Sequence, residues 1–257
     1  MIVLFIILII IIIICITNTE GFSLPLSENM SEDEIKNLRD GQKIMTNMFR
    51  QFNKICRKYK LRYWCTGGTL IGVIRHRGWI PWDADIDLGM LEADYEIFRK
   101  KALGELTSDI WLQDARSDKH WKGVTGEDYA LKKLRNLNSC YKNSQDGVRF
   151  HNGLQIDIFV FRQEGRLLKP LGGWGNNQKW TDMGDVPYDY IFPLKEGDFE
   201  DVRVYIPNKY KRYAKKSWGA CPPPIPKRKK RRPHEGIIDA NNTCSFHFDM
   251  YPNLYKK

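Results

Sequence analysis

Apolar residues recur along this chain in three ways, and each predicts a different kind of element. The first has no period. From Met1 to Ile16 the only group with any polarity is the Cys15 thiol. A helix over that run spans roughly 24 Å at about 1.5 Å per residue. It reads as a signal anchor or signal peptide over residues 1–17, in one of two forms. Uncleaved, it holds the protein to a Golgi or endoplasmic reticulum membrane through residues 2–17, as a single-pass protein with a lumenal body. Cut near "TNT", where Thr17 and Thr19 fit a cleavage site, it leaves a secreted protein. The acidic flank "TEGFSLPLSENMSEDE" suits the non-cytoplasmic side.

The second pattern is helical. After a linker at 18–31, Ile35, Leu38, Ile44, Met45, Met48, Phe49, Phe52 and Ile55 recur at helix spacing. Ser31 and Glu34 form a capping box at its start. "TLIGVIRH" reads as a short helix after the turn "TGG", and "LEADYEIFRKKAL" as an amphipathic one. "PNKYKRYAKKSWG" at 207–219 runs from Pro207 to Gly219, as a helix should. The third pattern is that of strands: "KLRYWC", "DIDLGM", "DIWLQD", "YALKKLRN" and "LQIDIFVF". Pro81 and Gly78 make "GWIPW" a loop, and residues 162–200 read mostly as loop. "CPPPIPKRKKRRPHEG" cannot hold regular structure, so residues 225–257 read as a basic, largely irregular tail. These elements predict one α+β domain over 32–224.

The strand "DADIDLGM" poses a problem of charge. Asp85 and Asp87 point to the same face, with Cα atoms roughly 6.5 Å apart. At an effective dielectric of about 20 their charges repel by about 3 kcal/mol. A bound divalent cation turns that repulsion into ligation by hard oxygen donors, suited to Mg²⁺ or Mn²⁺. The plain alternative is a solvated edge strand. Asp157 is the lone charge in "GLQIDIFVF", where an unpaired carboxylate is costly. It predicts a third metal ligand, or else a cap or salt bridge to Arg135 or Lys132. Ahead of these acids lies "TGGTLIG". Its Gly67, Gly68 and Thr69 permit close backbone approach at a helix N-terminus, where phosphate binds well. Arg75 and His76 follow as candidate phosphate contacts, or as ordinary solvated charge.

Composition sharpens the choice of partners. The formal net charge of +10 favours anionic ligands, but "KRKKRR" at 227–232 supplies six of the positive charges. That run reads as a solvated segment or as a patch for an anionic glycan or membrane. The N-terminal segment argues against nucleic acid as a partner. Outside the apolar run stand Cys56, Cys65, Cys140, Cys221 and Cys244. An oxidising lumen predicts one or two disulfides among them, with at least one thiol left free or paired between chains. No CxxC pair offers a structural zinc site of the usual spacing. Asn29 and Asn241 begin sequons. Trp64, Trp79 and Trp82 stand ready to stack on a base or sugar, or to pack in the core.

The block "YWCTGGTLIGVIRHRGWIPWDADIDLGM" at 63–90 resembles the signature of the LicD family. That family includes bacterial phosphocholine transferases, fukutin and fukutin-related protein. "GLQIDIFVF" resembles the family's second acidic strand. "YAKKSWGACPPP" at 213–224 resembles its C-terminal tyrosine-glycine element, with Trp218 in place of the tyrosine. Ala84 replaces an acidic residue common in the motif. The resemblance implies a nucleotidyltransferase-like mixed sheet flanked by helices. It implies transfer of a phospho-alcohol, of phosphocholine or ribitol-phosphate type, from a CDP-activated donor to a hydroxyl of a glycan or glycoprotein acceptor. On this resemblance Asp85, Asp87 and Asp157 are catalytic and hold Mg²⁺ or Mn²⁺, while Gly67, Gly68 and Thr69 lie on the donor-phosphate side. Two other readings share these residues: a nucleotidyltransferase proper, and a non-catalytic protein that uses the fold to bind glycans or enzymes.

Overall fold

Ser31 opens the first helix as the capping box requires. Its Oγ accepts the Glu34 N–H at 3.2 Å, and the Glu34 carboxylate accepts the Ser31 N–H at 2.8 Å. This geometry, and all that follows, comes from a computed structural model that describes residues 24–125, 131–143, 149–171 and 184–256. Helix α1 (Glu32–Tyr59) buries Leu38, Met45, Phe49 and Phe52 completely along one stripe. Lys60 ends it in the left-handed region, with φ 55°.

The chain continues through β1 (Tyr63–Cys65), α2 (Gly67–His76), β2 (Ile86–Leu91) and α3 (Glu92–Ile97), which widens into a π turn over Phe98–Ala102. Next come β3 (Ile110–Gln113), α4 (Lys119–Thr125), β4 (Leu131–Asn136), β5 (Cys140–Lys142) and β6 (Gln155–Glu164). Then follow β7 (Leu167–Pro170), β8 (Val186–Pro187), α5 (Tyr188–Ile191) and the hairpin of β9 (Lys195–Phe199) and β10 (Val202–Ile206). The last elements are α6 (Tyr210–Trp218), β11 (Ile237–Asp239), α7 (Phe246–Met250) and α8 (Pro252–Tyr255).

The main sheet runs β1-β2-β6-β4-β3, with β7 paired to the far part of β6 and β8 to β7. Only β2 and β6 pair in parallel, so the sheet is mixed. Strand β6 sits at its centre, buried without a break from Gln155 to Phe161. A strand covered on both faces reads as a continuous apolar run, which "IDIFVF" is but for Asp157.

Residues 162–200 hold more structure than the loop expected. Beyond the end of β6 they contain β7, β8, α5 and β9. Strand β9, "KEGDF", ends in its one strongly apolar residue. It is held as a strand by β10, whose Val202, Val204 and Ile206 alternate inward. Its order comes from its partner, so no local pattern announces it.

The C-terminal segment packs back on the domain. A short 3₁₀ turn covers Arg228–Lys230. Around it, Ser27 N donates to Arg231 O at 3.0 Å, and Arg228 Nε donates to Leu26 O at 3.0 Å. Strand β11 then pairs with β5 and lies on α1, where Gly41 leaves the room: a Cβ there would sit 3.1 Å from Ile238. A disulfide joins Cys140 to Cys244, while Cys56, Cys65 and Cys221 keep free thiols. Among the described residues no helix is long and apolar enough to cross a membrane. The expected apolar helix at 1–17 lies outside the described residues.

Candidate active site

The acids meet because of strand register. In the parallel pair of β2 and β6, Asp87 is the Cα partner of Asp157. In the antiparallel pair of β6 and β4, Asp157 is the partner of Lys133. Side chains at matched positions share a face, so two carboxylates and an ammonium line up across three strands. Asp85 precedes β2 by one residue and points the same way. One oxygen from each of Asp85, Asp87 and Asp157 lies within 4.8 Å of the others.

The loop that delivers Asp83 and Asp85 is clamped from below. Gln42 Nε2 donates to Asp83 O at 2.8 Å, and Arg39 Nη1 to Pro81 O at 3.0 Å, both from α1. The Tyr141 hydroxyl on β5 donates to Ala84 O. Trp79, anchored by Nε1 on Thr46 Oγ1 at 2.9 Å, packs in the core against Phe199. Trp64 is likewise a core residue, against Phe161 and Phe192. Of the three tryptophans considered for stacking, Trp82 lies at the site's edge, with the Arg231 guanidinium 5.6 Å over its ring.

The glycine turn grips the acids directly. Gly68 N donates to Asp87 Oδ2 at 3.1 Å, and Asp87 N donates to Thr69 Oγ1 at 2.8 Å. Gly67 has φ +50°, and a Cβ on it would stand 1.9 Å from Asp87 Oδ2. A Cβ on Gly68 would stand 2.3 Å from Asp83 Oδ2. Side chains at either position would displace a carboxylate. Arg75 and His76 are not brought to the acids. They end α2, about 12 Å along its axis from Gly67, and Arg75 donates to Pro223 O in the proline segment.

Electrostatics set these carboxylates apart. Burial pushes the Asp83 and Asp85 carboxyls well above the usual range, and neighbouring Glu235 and Asp87 add to it. Burial and the Asp157 charge raise Asp87 to about 7. Asp157 answers differently. Lys133 Nζ donates to its two oxygens at 2.7 and 2.8 Å, with both side chains buried, and Gln155 Nε2 adds a contact at 3.3 Å. The partner is thus Lys133, in place of the Arg135 or Lys132 expected as alternatives. Arg135 instead donates to Gln113, Gly153 and Gln155.

Four residues at this site lie outside the set that the sequence predicts: Asp83, Lys133, His234 and Glu235. Asp83 shares the alternation of Asp85 and Asp87. Lys133 shares the face of Arg135 on β4. His234 and Glu235 come from the tail and carry no local signal. The donors suit a divalent cation. Oxygens bound at about 2.0–2.1 Å in an octahedron lie roughly 3–4 Å apart, and the three carboxylates here present oxygens within 4.8 Å of one another. Asp85, Asp87 and Asp157 would hold it.

A mixed sheet that presents acids beside a glycine turn defines a nucleotidyltransferase-type domain. Residues 60–209 match the family described as LicD/FKTN/FKRP, nucleotidyltransferase domain. The chain belongs to that family. It is 31% identical over 140 residues to the lipopolysaccharide cholinephosphotransferase LicD of Haemophilus influenzae, covering 52% of this chain and 49% of that protein. It is 27% identical over 162 residues to the ribitol 5-phosphate transferase FKRP of Homo sapiens, covering 62% of this chain and 28% of that one. It is 32% identical over 190 residues to the uncharacterized protein RP689 of Rickettsia prowazekii, covering 70% of this chain and 56% of that protein. The chain therefore spans about half the length, or less, of these relatives.

Proposed function

We propose that this protein transfers a phospho-alcohol from a CDP-activated donor to a hydroxyl of a glycan or glycoprotein, using a divalent metal, in the secretory pathway. One observation carries the reading: Asp87 and Asp157 are register partners, with Asp85 beside them, at the mouth of the Gly67-Gly68 turn. The family match and the two named transferases support it, because they are a cholinephosphotransferase and a ribitol 5-phosphate transferase.

In this reading Asp85, Asp87 and Asp157 would hold a divalent ion, which would supply positive charge for the donor diphosphate and for departing CMP. Lys133 fixes the Asp157 carboxylate from behind, so its orientation is set before substrate arrives. Gly68 N and Thr69 Oγ1 do the same for Asp87. The acceptor oxygen attacks the phosphorus that carries the alcohol, and the phosphoanhydride bond breaks. CMP leaves with the bonding electron pair. The acceptor's proton passes to a carboxylate of the cluster. The lumenal assignment draws support from the Cys140–Cys244 disulfide, a bond at home in oxidising compartments.

Isothermal titration with CDP, CDP-choline and CDP-ribitol, each with and without Mn²⁺, tests the donor site. Metal-dependent binding that Asp85→Asn abolishes is expected. Binding that ignores both the metal and the substitution would refute it.

A further inference from the structure

The C-terminal segment brings two more metal-type ligands to the acids. Its residues lie beyond 60–209, the span that matches the family. Arg231 is pinned over Trp82, the residue next to Asp83. Five residues later the chain turns at Gly236, whose φ of 139° suits glycine, and enters β11. Strand β11 is held on β5, and the Cys140–Cys244 disulfide closes the same region. Between these anchors His234 and Glu235 are directed at Asp83.

One ligand atom from each of Asp83, His234 and Glu235 lies within 4.8 Å of the others. The Glu235 side chain is 8% exposed. Its Oε1 is buried and takes no hydrogen bond, although His234 Nδ1 stands 2.9 Å away. Two ligands bound at about 2.1 Å and at right angles to one cation stand about 3 Å apart. The contact has that spacing, and the other carboxylate oxygen, Oε2, accepts the His234 backbone N–H at 3.1 Å. Charge points the same way. Asp83, Asp85, Asp87, Asp157 and Glu235 are gathered in one place, where Lys133 is already paired with Asp157 and His234 is neutral when it ligates. One divalent ion leaves such a cluster negative, and burial makes that costly.

We propose that Asp83, His234 and Glu235 form a second divalent-cation site, beside the one at Asp85, Asp87 and Asp157. An imidazole nitrogen with two carboxylates favours Mn²⁺ or Zn²⁺ over Mg²⁺, which prefers oxygen alone. The site depends on the C-terminal segment and not on which alcohol is transferred. It rests on the proposed function only in sharing the neighbouring cation.

The test is Mn²⁺ titration of the full chain after chelation, read by electron paramagnetic resonance. Circular dichroism confirms that each variant is folded. Wild type is expected to bind two Mn²⁺ per chain, and Glu235→Gln or His234→Ala one each. Pulsed measurements are expected to show ¹⁴N coupling to Mn²⁺ in wild type and none in His234→Ala. One Mn²⁺ in wild type, lost in Asp85→Asn and without ¹⁴N coupling, would overturn the second site and leave the first intact. Two Mn²⁺ retained in both tail variants would also overturn it. No Mn²⁺ at all would overturn both sites.

Discussion

Lys133 and Asp157 face each other across β4 and β6, with the ammonium 2.7 and 2.8 Å from the two carboxylate oxygens and both side chains buried. Asp157 in turn is the register partner of Asp87 on β2. The lysine therefore holds in place a carboxylate that would otherwise repel its neighbour, and it does so from the side away from Asp87.

Removing that lysine leaves a buried, uncompensated charge. Lys133→Met is expected to destabilise the metal-free protein by about 3 kcal/mol. Adding Asp157→Asn to it should recover most of the loss, because the unpaired charge goes too. Urea unfolding of both variants checks this. A single variant as stable as wild type would contradict it.

The raised carboxyls give stability a pH dependence of definite sign. Asp87 titrates near 7 in the folded protein, raised by burial and by Asp157. Its unfolded value is near 3.9. A folded value above the unfolded one contributes stability that is complete below pH ~4 and is lost as pH rises through about 7. Asp83 and Asp85, also raised, act in the same direction. Asp87→Asn removes one such penalty. With metal chelated, its stability relative to wild type should improve by on the order of 1 kcal/mol between pH 5 and pH 8. Thermal melts at the two values test this, and a flat difference would contradict it.

The two glycines of the turn are fixed by the aspartates. Gly67→Ala places a Cβ 1.9 Å from Asp87 Oδ2, at a φ of +50°. It should cost about 1–2 kcal/mol in backbone strain and lower Mn²⁺ affinity at least tenfold by displacing the carboxylate. Gly165→Ala serves as a control. Gly165 also has a positive φ, of 59°, but nothing lies within 4 Å of its Cβ position. Its variant should show the strain without the change in metal affinity.

The Cys140–Cys244 bond spans 104 residues of sequence. Closing so long a loop stabilises a protein by about 2–4 kcal/mol. Cys140→Ser with Cys244→Ser should lower the unfolding midpoint accordingly. Because the bond anchors the segment that carries His234 and Glu235, the same variant should also weaken metal binding at Asp83. An unchanged midpoint would show that the packing of β11 on β5 and α1 suffices.

The legible parts of this fold are those with short-range causes. Ser31 and Glu34 announce the start of α1, and Gly219, at φ 72°, marks the end of α6. Asp85, Asp87 and Asp157 stand out because a charge in an apolar strand needs a reason, and the register supplies it. What the sequence hides is set by distant partners. Strand β9 exists because β10 pairs with it. Lys133 is distinguished from Lys132 only by which face of β4 meets Asp157. Arg75 and His76 look suited to phosphate, but the rise of α2 carries them away from the turn. His234 and Glu235 follow a run of cations and prolines. Only the folding of that run against residues 25–28 and Trp82 directs them to the acids.

The most direct test of the central claim is the product of a single reaction. The full chain is incubated with a CDP-alcohol, a glycan acceptor and Mn²⁺, and the released nucleotide is identified. CMP is expected in step with phospho-alcohol on the acceptor, and lost in Asp85→Asn and in Asp157→Asn. Pyrophosphate as the released product, or transfer undiminished in both variants, would contradict it.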